Sequence, residues 1–245
     1  MHAWGSMKRH GAALLTWVAL AGAALAPAAA SAADAGSRFL APGFTQMVAS
    51  GKVLLMPVDV ELFSLSAGGV SEPKADWTAA ARQHMAAAVE EKRKAFGMEA
   101  STLSELEADE FAEQVGLHAA VAGSLALHHS VGGVWALPTK DGKLAWSFGD
   151  AMAPLAAKTG ARYALFMWVR DSYASAERKA MMVGMALLGV AMTGGIQVGY
   201  ASLVDLQTGD VVWFNRLART TGDLREIAPA RESVGQLLAS FPARP

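Results

Sequence analysis

Apolar residues along this chain recur with two different periods, and the switches between them predict its elements. "KVLLMPVDVELF", residues 52–63, starts with the unbroken run Val53–Met56, as in a strand buried on both faces. Val58, Val60 and Leu62 then alternate with Asp59 and Glu61, the pattern of a half-exposed extension. Pro57 between them has no N–H for a ladder, so it marks an irregularity. "SLSAGGVSEPKA" reads as a loop, after which Asp76 is placed to cap a helix that runs to about Phe96 and stops at Gly97. Trp77, Ala81, Met85, Ala88 and Phe96 fall near one stripe, so this helix should lie on a sheet. "MEASTL" supplies a short strand, and Ser104 with Glu107 has the spacing of a capping box. The helix that follows, about 105–129, carries Phe111, Val115, Ala119, Ala122 and Ala126 on one side. Leu117, Val121 and Leu125 give it a second apolar side, so its latter half should be buried nearly all round.

Gly, Pro and Asp-Gly interrupt "VGGVWALPTKDGKLAWSFG", which reads as a long ordered loop or a small hairpin. A short helix over about 150–159 ends at Gly160 and hands over to the strand core Tyr163–Val169. Strand residues flank Thr208-Gly209, which predicts an antiparallel hairpin of about 195–206 against 210–218. Ala230, Val234, Leu237, Leu238 and Phe241 form the stripe of a last helix, about 228–241, that covers the hairpin. The expected fold is α/β (α+β): a single mixed sheet of about five strands with helices packed on it, ending in a β-hairpin and a helix. It occupies residues 51–242 as one domain, after a flexible lead-in over 33–50.

The chain opens differently. Lys8, Arg9 and His10 precede the apolar run Gly11–Ala26 and then Ala30-Ser31-Ala32, the order of a secretory signal peptide over residues 1–32, with cleavage between Ala32 and Ala33. Such a leader directs the chain to the periplasm. Removing Lys8 and Arg9 from 21 basic residues leaves 19 against 22 acidic ones, a balance of −3, which suggests no nucleic-acid partner. The chain has no cysteine. Stability must therefore come from packing rather than disulfides, and no cysteine is present to carry a lipid.

From Ala180 to Val204 there is no charged side chain. Residues 180–201 are about long enough for a single-pass membrane helix. Arg178 and Lys179 would then lie outside and Asp205 inside, against the positive-inside tendency. Such a helix would also take residues from the hairpin. We read 180–193 instead as a short apolar helix or packed loop, with the strand after it, and the whole apolar Gly-rich segment as 180–194. Met182, Met185, Leu187 and Leu188 are either core filling or an adaptable contact for a partner or a membrane surface.

Chemistry is sparse. "GMALLGVA" from Gly184 matches half of a P-loop, but Val190 and Ala191 stand where the phosphate-binding Lys and the Ser or Thr should be. His128 and His129 are adjacent on a helix and point about 100° apart, unlike an i,i+4 metal pair. No serine sits in a G-x-S-x-G elbow. No cofactor, metal site or catalytic residue is implied. The polar residues at strand ends, Asp59 and Glu61 after the first and Arg170 and Asp171 after the second, form a candidate ligand site of the kind found beyond the carboxyl ends of strands.

"KVLLMPVDV" resembles the first strand of the curli-secretion lipoprotein family and of the amino-terminal domain of the Tol-system periplasmic propeller protein. "GARYALFMWVRD" resembles their later strand, and "ASLVDLQTGDVVWFN" resembles their hairpin. Residues 179–218 also look like exported proteobacterial proteins. The resemblance implies an assembly, transport or scaffolding role in the envelope, with an envelope protein or a second copy as partner, and no catalytic residues. The expectation is a non-enzymatic accessory protein; the alternatives are a small-ligand-binding domain or enzyme at the strand ends, and a single-pass membrane protein through 180–201.

Overall fold

A computed structural model describes residues 38–96 and 98–242. The leader and its cleavage position lie outside the described residues. Seven strands form one mixed sheet. The first two, β1 (Val53–Leu55) and β2 (Asp59–Leu65), both run parallel to β5 (Tyr163–Ala174), β1 along its beginning and β2 along its second half. From Leu55 to Asp59 the chain advances four residues while β5 advances three, from Leu165 to Trp168. The extra residue is accommodated at Met56–Val58, where Pro57 has no N–H to pair. Two short strands flank this composite strand: β3 (Ser71–Pro73) antiparallel to β2, and β4 (Ala100–Thr102) parallel to β1. On the other side of β5 come β6 (Gln197–Asp205) and β7 (Val211–Arg219), paired antiparallel as the hairpin pattern predicts. At their turn Gly209 has φ +73, and an added Cβ would stand 2.1 Å from the Gly149 carbonyl oxygen. Only glycine meets both demands.

Helices pack on both faces. α1 (Ala75–Ala95) and α6 (Ile227–Leu237) cover one, burying Ala81, Met85, Ala88, Ala230, Val234 and Leu237 against Val60, Leu62, Leu165, Met167 and Leu203. α2 (Glu105–Asp109), α3 (Ala112–Leu125) and α4 (Ala153–Thr159) lie with the other, where Ala122, Leu125 and Leu155 pack with Leu54, Phe166 and Phe214. The alternation within β1 and along Tyr163–Met167 of β5 thus sends successive side chains into two separate cores. Between β5 and β6 stands α5 (Ala176–Leu187).

Several expectations are corrected. Asp76 is not the cap of α1: Lys74 holds that position without a side-chain bond, and Asp76 sits in the first turn, at the positive end of the helix dipole. The helix expected over 105–129 is broken, since Phe111 turns into the core at the start of α3, and its end widens into a π-turn over Ala126–Val131. The capping box Ser104–Glu107 is present on the short α2. The stretch 130–149 forms turns, with one bridge from Ser147 to Asp210. Over its described part the lead-in is tied down: Leu40 bridges Trp213, Ala41 N–H donates to Val212 O at 3.0 Å, and Met47 is buried. Its apolar residues find core contacts that its irregular spacing conceals. The single-pass reading falls, because α5 stops at Leu187 and Gln197 onward belongs to the sheet. Among the described residues no helix is long and apolar enough to cross a membrane.

Candidate functional site

Parallel pairing of β2 with β5 sets Glu61 opposite Arg170 and Asp59 opposite Trp168. The Arg170 guanidinium donates to Asp59 Oδ1 at 2.8 Å, lies 3.4 Å from Glu61 Oε2, and sits 4.6 Å from the centre of the Trp168 ring. Trp168 in turn stacks on Tyr200 of β6 at 5.0 Å. Asp59, Glu61 and Arg170 line a cleft of about 520 Å³ with Lys74, Thr78 and Arg82. Three of the four strand-end residues singled out from the sequence therefore meet. Arg170 engages both carboxylates, and among the described residues no group of three or more His, Asp or Glu side chains is placed to hold a metal.

Asp171 goes elsewhere. Adjacent strand residues face opposite ways, so Asp171 enters the layer under α6. There it accepts from Tyr173 Oη at 2.5 Å, Gln197 Nε2 at 2.6 Å and its neighbour's N–H, that of Ser172, at 2.8 Å. Ser233 Oγ donates to Gln197 Oε1, and Leu224 N–H donates to Tyr173 Oη. Burial raises the Asp171 pKa, and the three donated hydrogen bonds work against that rise. This network fastens the end of β5 to α6 and is closed on itself.

From the sequence, His118 has no role beyond that of a histidine without a spaced metal partner. It lies on the α3 stripe of Phe111, Val115, Ala122 and Leu125, stacks on Phe166 at 4.7 Å, and shares a 2.9 Å hydrogen bond with Ser202 Oγ. Its place on that stripe was the available signal. Burial pushes the imidazole down to about 3, so it is neutral. With both partners buried, the pair has no access for a substrate.

The segment around α5 is a three-turn helix that stands outside both cores. Ser175 caps its start by accepting from Arg178 N–H. Arg178 then reaches across to the returning chain, donating to Thr193 O at 2.9 and 3.1 Å and to Ser66 O at 3.3 Å. At the far end Gly189, with φ +76, donates to Ala186 O while Val190 N–H donates to Met185 O, the two bonds of a Schellman cap. The return ends at Gly195, where an added Cβ would stand 1.8 Å from Ser172 O, and at Ile196, whose N–H and C=O both bond Ser172. No residue of α5 is buried. Val183 is 66% exposed, Leu187 85% and Leu188 76%, while Met182 and Met185 are half-buried. The result is a firmly based apolar spike on an α/β body with helices on both faces of a mixed sheet.

No family model matches the chain, and no curated protein matches it. Among solved structures it is similar to the PelC dodecamer from Paraburkholderia phytofirmans, at 14% identity over 82% of this chain and 96% of that one, TM-score 0.37. It is likewise similar to lipoprotein GNA1162 from Neisseria meningitidis, at 14% identity over 78% and 98%, TM-score 0.32. The LpoB C-terminal domain from Escherichia coli matches at 14% identity over 77% and 94%, TM-score 0.29. Likeness of this size leaves the chain's role to be argued from its own residues.

Proposed function

We propose that this chain is a non-enzymatic accessory protein of the bacterial envelope, working by contact from the periplasm, and that the α5 spike, with Met182, Met185, Leu187 and Leu188, is its working surface. The observation that carries this reading is the exposure of Leu187 and Leu188 on a helix without one buried residue, although the base of that helix is pinned by a cap and an arginine fork. Exposing large apolar side chains in water forgoes about 25 cal/mol per Å² of burial, and nothing in the fold recovers it. A contact with another component would. The leader pattern supports export, and the resemblance of the first strand and the hairpin to envelope domains supports the setting.

The test is the double variant Leu187→Ser/Leu188→Ser in the exported chain. It should melt within about 0.5 kcal/mol of the parent, as surface substitutions do, yet leave the envelope fraction that the parent accompanies. Unfolding would make the segment core, and unchanged fractionation would remove it as a working surface. A second reading, small-ligand binding, is favoured by the cleft that joins Asp59, Glu61 and Arg170. It ranks lower because Arg170 already engages both carboxylates, at 2.8 and 3.4 Å.

A further inference from the structure

We infer that the α5 spike is a shallow lipid anchor whose tip, Leu187–Val190, enters the headgroup and upper acyl region of one bilayer leaflet; this rests on the spike being the working surface. A protein groove covers one face of a helix and leaves a polar face in water. From Ala180 onward no such polar face exists: the half-buried Met181, Met182 and Met185 lean on the body, the exposed Val183 and Leu187 face away from it, and no charged side chain occurs between Lys179 and Asp205. A tip that turns only apolar side chains outward suits a medium that is apolar on every exposed side.

The backbone agrees. A segment entering lipid must satisfy its own N–H groups. The N–H groups of Leu188, Gly189 and Val190 all bond back to Met185 or Ala186 carbonyls, so the foremost turn presents no free donor over those residues. The return, 191–196, has no regular pairing until the sheet, which limits entry to the hydrated interface. Length points the same way: Ala180–Leu187 rises about 12 Å, comparable with the depth of about 5–10 Å to which interfacial apolar groups enter and far short of the about 30 Å of a crossing. At the base Glu177 and Lys179 offset each other, which leaves the single positive charge of Arg178, held against the Thr193 and Ser66 carbonyls and too little by itself to drive binding. Apolar burial, and not charge, therefore drives the attachment.

Since the chain has no cysteine, Leu188→Cys and, on the exposed side of α1, Gln83→Cys can each carry a single polarity-sensitive fluorophore. The full chain, exported through its own leader and purified after processing, is mixed with vesicles of phosphatidylcholine alone or with added phosphatidylglycerol, at low and high salt. The label at 188 should shift to the blue on both vesicles at both salt levels, and the label at 83 should not move. Leu187→Glu/Leu188→Glu should lose flotation with vesicles while melting as the parent does. A label at 188 that stays in water, a shift seen only with phosphatidylglycerol and reversed by salt, or unchanged flotation of the glutamate variant would each overturn the inference. If the lipid arms fail while the serine variant still leaves the envelope fraction, the spike remains the working surface and only its lipid partner is lost.

Discussion

His118 shows what a buried titratable side chain does to the whole protein. Its folded pKa, about 3, lies below the ordinary value of 6.5, so the unfolded chain binds a proton more readily than the folded one. The contribution is complete above pH 6.5 and is lost progressively as pH falls toward 3, by up to about 1.4 kcal/mol per unit. Denaturant midpoints measured across that window should fall, and His118→Gln should flatten the slope; an unchanged slope would assign it to other groups. Gly195 makes a second residue-scale prediction. Gly195→Ala drives a methyl into Ser172 O and should destabilise by more than about 1 kcal/mol, seen as a lowered melting temperature. Of the strand-end residues, the meeting of Asp59, Glu61 and Arg170 was readable from their positions. Asp171 departs from them because the period of two turns it to the face opposite Arg170, although the two are neighbours in sequence.

The elements that a strong period defined, such as β5, the β6–β7 hairpin and α1, stand close to where the pattern puts them. Elements without a period were hidden. β3 is three exposed residues ending in proline, tolerable only on an edge, and nothing in "SEP" distinguishes it from a loop. The break between α2 and α3 arises from burial of Phe111, a tertiary demand that helix propensity does not register. The part of α5 from Ala180 onward was legible as uncharged but not as exposed, since composition alone does not say which solvent a side chain meets. Its order depends on local bonds rather than on packing. Ser175→Ala should therefore loosen it by about 1 kcal/mol, raising amide exchange over 176–190 while the melting temperature of the body barely moves. Equal loosening throughout the sheet would contradict this.

At the scale of the molecule, one sheet divides two cores, and the outer strand of its hairpin is closed by the short segment around Leu40. Phe214 N–H donates to Phe39 O, and Val212 O accepts from Ala41 N–H. Sheets leave their last strand hungry for partners, and here the appetite is met by residues that look dispensable in the sequence. Trimming the chain to residue 51 would uncover this row of donors and acceptors beside the buried Trp213. Shortened chains would then zip onto one another and come out of solution, so a fragment that begins where the regular pattern begins is the wrong one to express.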